Sequence, residues 1–275
     1  MKRIAIALFL LILLAACTNQ EAGQQNGWGE EFWQDSTFVQ TRVDASNLDK
    51  GLIRANISGK WQLYEITNLP EEFLEWSLGK RQQTLENIRK GKLPSLAGPH
   101  NGIVATYGYQ RADSQFKLNN AVKGMGYLPK PEKMAEVIEL LETTIDDEMP
   151  AKLDILKELY QQGDETWDTT KQVSLELYST PTRGTQTFLN QMANPVSVIV
   201  FMDIPTFKLK TISYLLHPEN SNLTEYENNV VKFVNLMHSY FHGKFDKIFP
   251  AVVYNVVEVY NSSPGTKEGR GTKIE

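Results

Sequence analysis

VSVIVFM at residues 196–202 and, three residues later, TFKLKTISYLL at residues 206–216 decide the fold of this chain. The first segment is almost continuously β-branched and apolar, which is typical of a central strand buried on both faces. The second segment alternates Phe207 and Leu209 with Lys208, the pattern of a strand with one face in the core. Two such strands in succession predict a sheet centred in the C-terminal third of the chain.

Further strands are predicted on both sides of this pair, where alternating or β-branched residues are bounded by turn residues. They lie at 52–57 and 61–66 with a hairpin turn at Gly59, at 103–109, at 173–177, at TQTFL (185–189) and at 251–260. The alternation of Val39, Thr41 and Val43 predicts one more short strand.

Four helices are predicted from apolar residues that recur at helical spacing. They lie at 68–91, 131–145, 150–163 and 222–241, and the second and third form an αα-hairpin. Asn68 with Glu71, and Asn222 with Glu225, match the capping-box pattern of a helix start. The sequence therefore predicts an α+β fold, with a mixed, mainly antiparallel sheet packed against about four helices.

The composition is that of a folded protein without the charge of a nucleic-acid-binding protein. The 275 residues are 41% hydrophobic and carry a net charge of −5, which argues against disorder and against a nucleic-acid partner. Residues 80–130 hold nine Lys/Arg and two Asp/Glu, whereas residues 132–176 hold thirteen Asp/Glu and four Lys. These stretches either are solvated or pair with each other, or they leave a basic surface for lipid phosphates or an anionic ligand.

The N-terminus has the layout of an export signal. Lys2 and Arg3 precede an apolar run at 4–14, which is too short to span a bilayer as a helix. The small residues Ala15 and Ala16 follow, and Cys17, the sole cysteine, comes directly after them. With a single thiol the chain can form no internal disulfide, so its stability depends on its core.

Leu14-Ala15-Ala16-Cys17 resembles the lipobox of bacterial lipoproteins. The resemblance implies cleavage before Cys17, attachment of lipid to its thiol, and acylation of the new amino group by a fatty acid such as palmitate. Because the next residue is Thr18 rather than Asp, it also implies delivery to the outer membrane of the cell envelope. The alternative is an ordinary secretory signal in which the cysteine plays no part.

The predicted domain boundaries follow from this layout. Residues 1–16 are the signal peptide, 17–36 a tether, 37–262 a single α+β domain, and 263–275 a flexible tail. Trp28, Phe32 and Trp33 interrupt the polar tether, and we expect them either to dock on the domain or to lie at the lipid interface.

The standard catalytic motifs are absent from the sequence, so candidate sites come from weaker patterns. His238 and His242 are four residues apart on a predicted helix, where both rings could reach one zinc ion. His217 is the candidate third ligand, with Glu219 or Asp203 as a possible fourth. The alternative is that histidines at a helix C-terminus complement its negative end without any metal.

Residues 180–203, which begin TPTRGTQTFLNQMANP, suggest an anion site at Arg183 and Thr185. This stretch is similar to flavin-binding split barrels, in which an Arg/Ser/Lys turn holds the phosphate and an NP dipeptide precedes a core strand. The resemblance implies a flavin cofactor. The alternative is a surface hairpin with Arg183 facing solvent.

Aromatic residues on the predicted strands suggest a ligand groove. Trp61, Tyr107 and Tyr109, with Tyr64 and Tyr127, could line a groove for a glycan or an apolar ligand. The alternative is that these rings belong to the core.

Taken together, these patterns predict a membrane-anchored envelope lipoprotein. Its partners are the bilayer, through acylated Cys17, and a small ligand or envelope protein bound by the folded domain. No catalysis is evident and no cofactor is predicted. The alternative is an enzyme delivered to the envelope that depends on flavin or zinc.

Overall fold

A computed structural model describes residues 27–265 and 271–274 of the chain. The predicted signal peptide, Cys17 and the first part of the tether lie outside the described residues. Within the described ranges the chain forms five α-helices and a mainly antiparallel sheet, which confirms the predicted α+β class.

The helices and strands are numbered in chain order. The helices are Glu71–Arg89 (α1), Met134–Thr144 (α2), Met149–Gln161 (α3), Gln186–Ala193 (α4) and Glu225–His242 (α5). The first five strands are Trp33–Gln34 (β1), Thr37–Phe38 (β2), Val43–Asp44 (β3), Leu52–Ile57 (β4) and Lys60–Glu65 (β5). The remaining strands are Asn101–Tyr107 (β6), Leu118–Gly124 (β7), Lys171–Leu175 (β8), Val196–Phe201 (β9), Phe207–Leu216 (β10), Ala251–Asn261 (β11) and Thr272–Ile274 (β12).

Strands β6 to β11 close into an antiparallel barrel. The order is β11-β10-β9-β6-β7, and β8 pairs with the first half of β11. The ring is completed just after β7, where Gly126 and Val173 exchange two backbone hydrogen bonds of 2.9 Å. β12 extends the sheet along the second half of β11, so the predicted tail contains a paired strand.

The two strands that decided the fold lie side by side at the centre of this sheet. β9 pairs with β10 on one side and with β6 on the other, as expected for the predicted central strand. Ser197, Ile199 and Phe201 are buried, whereas Val198 and Val200, which face outward, are half-buried. The outward face of β9 is therefore more open than its continuous apolar sequence predicts.

The prediction of a strand at TQTFL was wrong, because residues 186–193 form α4. Thr185 is the helix N-cap, and its side-chain oxygen accepts a hydrogen bond from the backbone N–H of Phe188 at 3.2 Å. The segment is buried on nearly all sides, so burial as well as a cap favours the helix over local β-propensity.

Both predicted capping boxes are displaced from where the sequence placed them. α5 begins with a capping box formed by Thr224 and Glu227, not by Asn222 and Glu225. α1 begins after Pro70 without a side-chain cap, and Asn68 instead accepts a hydrogen bond from Thr169 at 2.7 Å.

The helices of the predicted αα-hairpin, α2 and α3, are present, and they pack on different neighbours. α2 packs against α5 and α3 packs against α1. Lys157 on α3 pairs with Glu86 on α1 at 2.7 Å, and Arg89 on α1 pairs with Asp154 on α3. The oppositely charged stretches of the sequence therefore meet in part at this helix pair.

A small three-stranded sheet, β3-β4-β5, lies beside the barrel over its own apolar cluster of Val43, Ile53, Ala55 and Ile212. The hairpin predicted across Gly59 is confirmed: Ser58 and Gly59 form the turn with φ of 51° and 84°. Positive φ at both central residues matches the twist of the flanking strands.

Residues 27–38 pack on the domain, although the tether was predicted to extend to residue 36. The Trp33 ring lies 5.1 Å from Phe38 and 5.6 Å from Phe188, between ring centroids. Phe32 and Trp33 therefore dock on the domain, which is the first of the two outcomes expected for the aromatic residues of the tether. In the described ranges, no helix is both long and apolar enough to cross a bilayer.

Close packing inside the barrel gives a first testable prediction. A Cβ atom on Gly102 of β6 would lie 2.6 Å from Cγ2 of Ile199, whereas a Cβ on Gly124 of β7 would meet nothing within 4 Å. Gly102→Ala is expected to lower the free energy of unfolding by about 1–3 kcal/mol, because the core must shift. Gly124→Ala is the matched control and should be neutral or slightly stabilising. Urea denaturation measures the free energy of unfolding of both variants, and an equal change in the two would contradict this packing.

Candidate functional site

A cavity of 360 Å³ lies between the barrel, α1 and α5. We call it the main cavity. Its wall is mostly apolar and includes Leu85, Tyr127, Tyr160, Phe233, Met237 and Phe241. The polar wall residues include Arg81, His100, His238 and His242. Volume and lining are those of a small-molecule site.

Arg81 projects from α1 into the wall of the main cavity and is 2% exposed. Its Nη2 donates to the backbone carbonyls of Pro99 at 2.7 Å and Met125 at 2.9 Å. The guanidinium carbon lies 5.1 Å from the Tyr127 ring centroid and 5.8 Å from that of Tyr160. Nε is buried and has no hydrogen-bond partner in the described part of the chain.

His100 lies beside Arg81, in the loop that leads into β6. Its backbone carbonyl accepts a hydrogen bond from Met125 N–H at 2.7 Å, which fixes the loop against the end of β7. Burial, and then the nearby charge of Arg81, lowers the pKa of His100 to about 3. The ring is therefore neutral at pH 7, and Arg81 carries the positive charge of this pair.

The predicted zinc site is not assembled. His238 and His242 do lie together at the main cavity, with ring centroids 4.7 Å apart. His217 instead packs against Trp33 and Phe38, and its Nδ1 accepts a hydrogen bond from Thr37. No group of three or more His, Cys, Asp or Glu that could hold a metal is found in residues 27–265 and 271–274.

The other candidate zinc ligands also have different partners. Asp203 accepts from Trp76 Nε1 at 3.1 Å and pairs with Lys80 at 3.3 Å. Glu219 accepts a hydrogen bond from the hydroxyl of Ser36 at 2.6 Å. Burial, and then the neighbouring His242, lowers the pKa of His238, as expected for a ring pressed on Phe245 at the cavity rim.

A second cleft, of 460 Å³, lies between β7 and the start of α4. Its lining includes the predicted anion ligand Thr185 and the cations Arg111 and Lys123. The other predicted ligand, Arg183, is exposed, and its guanidinium carbon lies 5.8 Å from the Trp28 ring centroid. Only one of the two predicted anion-binding residues therefore lines the cleft.

The chain itself supplies a carboxylate at the predicted anion site. Glu176, 1% exposed, accepts from Lys123 at 2.8 Å, from Ser179 at 3.0 Å and from the Thr185 hydroxyl at 3.3 Å. Arg111 pairs with Asp113 at 2.5 Å. Lys123, Thr185 and Arg111, which line the cleft, are thus already bound to carboxylates, and Arg183 does not line it, so the cleft as built does not fit a flavin phosphate.

The aromatic groove predicted from the sequence is not formed. Trp61 lies on β5 of the small sheet, where the guanidinium carbon of Arg54 sits 5.4 Å from its ring centroid. Tyr107 is 56% exposed at the end of β6, whereas Tyr109 is buried with its ring centroid 5.5 Å from that of Phe32. Of the wider aromatic set, Tyr127 does reach a cavity, because it lines the main cavity beside Arg81.

Arg81 and His100 were not among the residues singled out from the sequence. A signal for Arg81 is present, because it lies three residues after Leu78 and four before Leu85 on the apolar stripe of α1. In the structure, Arg81 is buried together with Leu85 of this stripe. No comparable signal marks His100, since its place depends on the loop that carries it.

No family model matches the chain, and no curated protein matches it. Among solved structures, it is similar to a protein from Clostridium acetobutylicum related to general stress protein 26 of B. subtilis, of the pyridoxinephosphate oxidase family. The TM-score is 0.32 and the sequence identity 10%, over 75% of this chain and 96% of that one.

The Glu176 cluster gives a second testable prediction. Glu176→Ala leaves Lys123, whose side chain is only 12% exposed, without its counter-ion, and we expect a loss of about 3–5 kcal/mol in the free energy of unfolding. The control is Glu142→Ala: Glu142 pairs with Lys232 at 2.9 Å, but both side chains are nearly half exposed. Its removal should cost about 1 kcal/mol or less. Similar losses in both variants, measured by thermal and urea denaturation, would show that Glu176 is not a structural anion.

Proposed function

We propose that this protein is an envelope lipoprotein, anchored to a membrane through acylated Cys17, whose domain binds a small apolar ligand in the main cavity. The observation that carries the binding role is the cavity itself, a solvent-open space of 360 Å³ with a wall that is mostly apolar and aromatic. Small-molecule sites are concave, mostly apolar clefts of about 300–1,000 Å³, so a cleft of this size and lining favours a ligand.

The anchoring role is supported by the N-terminal sequence. An apolar run at 4–14 after two basic residues, with Cys17 directly after two alanines, matches the order in which an exported lipoprotein is recognised, cleaved and acylated. Two or more acyl chains make membrane attachment stable, whereas a single chain gives marginal binding. The binding domain would then act at the membrane surface.

Acylation at Cys17 gives a third prediction. When cells that express the full chain are fed labelled palmitate, the wild-type protein should carry the label, and Cys17→Ser should lose it and accumulate as the uncleaved precursor. Thr18→Ser is the control and should be labelled like the wild type. Mass spectrometry of the N-terminal peptide identifies the acyl groups. An unmodified Cys17 in the wild-type protein would refute the anchoring role.

Ligand binding in the main cavity gives a fourth prediction. The neutral apolar fluorophore N-phenyl-1-naphthylamine should bind the wild-type protein, with enhanced fluorescence. Met237→Trp fills the cavity and is expected to weaken binding about tenfold or more, which corresponds to about 1.4 kcal/mol or more. Met202→Trp is the control, because Met202 is 57% exposed and is not part of the cavity wall. Equal binding by both variants would place the probe elsewhere and contradict the proposal.

The second candidate function is a flavin-dependent enzyme, and the observation in its favour is the 460 Å³ cleft beside Thr185. Against it, Glu176 accepts hydrogen bonds from Lys123 and Thr185, and Arg183 does not line this cleft. The visible absorbance of the purified protein, before and after incubation with riboflavin phosphate, discriminates between the two functions. We expect no bound flavin, and a yellow protein would favour the enzyme.

A further inference from the structure

The wall of the main cavity has a positive charge without a negative partner. In the described residues that line the cavity there is no aspartate, glutamate or lysine, and Arg81 stands among apolar and aromatic side chains. Arginine stays protonated in any protein environment. No carboxylate of the described chain lies within ion-pair distance of Arg81, in contrast to Lys123, which has Glu176 at 2.8 Å.

The contacts of Arg81 compensate its charge only in part. Two carbonyls accept hydrogen bonds from Nη2, and two tyrosine rings face the guanidinium, but each of these groups is neutral. A buried charge that lacks a counter-ion is strongly destabilising, so proteins almost always pair or neutralise it. A ligand with a negative charge would complete the pair.

The geometry points to an apolar monocarboxylic acid as the ligand of the main cavity, with Arg81 as the counter-ion of its carboxylate. This inference rests on the proposed function and adds the chemical class of the ligand. The apolar part of the acid would lie against Leu85, Phe233 and Met237. The carboxylate would lie on the side of the cavity formed by α1 and the loop at Pro99 and His100.

A single negative charge matches this wall better than a phosphate does. Bound phosphates are usually held by several cations or N–H donors, commonly including a helix N-terminus. Here one arginine provides the charge, its Nη2 is occupied by two carbonyls, and its neighbour His100 is neutral at pH 7. One monoanion balances one guanidinium.

The test compares ligands that share an apolar chain and differ in the head group. The mature chain, residues 17–275 with Cys17→Ser so that no detergent is needed, is titrated with decanoate, decanol and decylamine by calorimetry and by displacement of N-phenyl-1-naphthylamine. Decanoate is expected to bind about tenfold or more tighter than decanol, since hydrogen bonds to charged groups are the stronger ones. Decylamine should bind more weakly than decanol, because its charge is repelled by Arg81.

Substitutions of Arg81 then test whether this residue causes the preference for decanoate over decanol. Arg81→Met should reduce the ratio of the affinity for decanoate to the affinity for decanol to about twofold or less. Arg81→Lys keeps the charge and should keep much of this affinity ratio. Arg89→Met is the matched control, because Arg89 lies on the same helix with an exposed side chain paired to Asp154. Its ratio should equal that of the wild type.

The outcomes separate this inference from the proposed function. If neither the fluorophore nor any decyl compound binds the wild-type protein, the proposed function fails. If decanol binds as tightly as decanoate, the cavity binds apolar ligands but the carboxylate is refuted. Tighter binding of decyl phosphate than of decanoate also overturns the carboxylate, in favour of a phosphate head group. These comparisons use the wild-type sequence of the cavity, so they hold even where Arg81→Met fails to fold.

Discussion

Two backbone hydrogen bonds between Gly126 and Val173 close the barrel, and the candidate site depends on them. They join the chain that leaves β7 to β8, which is far from it in sequence. The closure fixes the carbonyl of Met125, the residue before Gly126, where it accepts from Arg81. It also makes Val173, Ser174 and Leu175 of β8 part of the cavity wall. Opening the barrel at this pair would remove one of the two carbonyls that accept from the guanidinium and one side of the candidate site.

The sequence was informative where a segment's pattern and its surroundings agreed. β9, β10 and the β4–β5 hairpin were predicted because alternation, β-branching and a turn glycine all favour the same structure. α4 was misread because Thr187 and Phe188 are good strand formers, and its cap and burial become visible only when the barrel is in place. β7 was missed because LNNAVKG has little β-propensity and is held by pairing with β6.

The candidate sites were harder to predict than the fold, because sequence patterns report local spacing and this cavity joins distant segments. His238 and His242 came together as their helical spacing requires, but His217 is held elsewhere by its packing on Trp33. Arg81 shows the opposite case. On a helix surface an arginine is expected in solvent, and only its position on an apolar stripe distinguishes it from Arg89. Its proposed role follows from the lack of a carboxylate beside it in the described part of the chain, which no motif encodes.

The docking of residues 27–38 also limits the distance between the domain and the proposed lipid anchor. With Cys17 as the proposed lipid anchor and Gly27 already at the domain, about ten residues connect the two, with a contour of roughly 35 Å when fully extended. A domain of this size is roughly 45 Å across. Anchored in this way, the barrel could not move away from the bilayer surface by more than its own width.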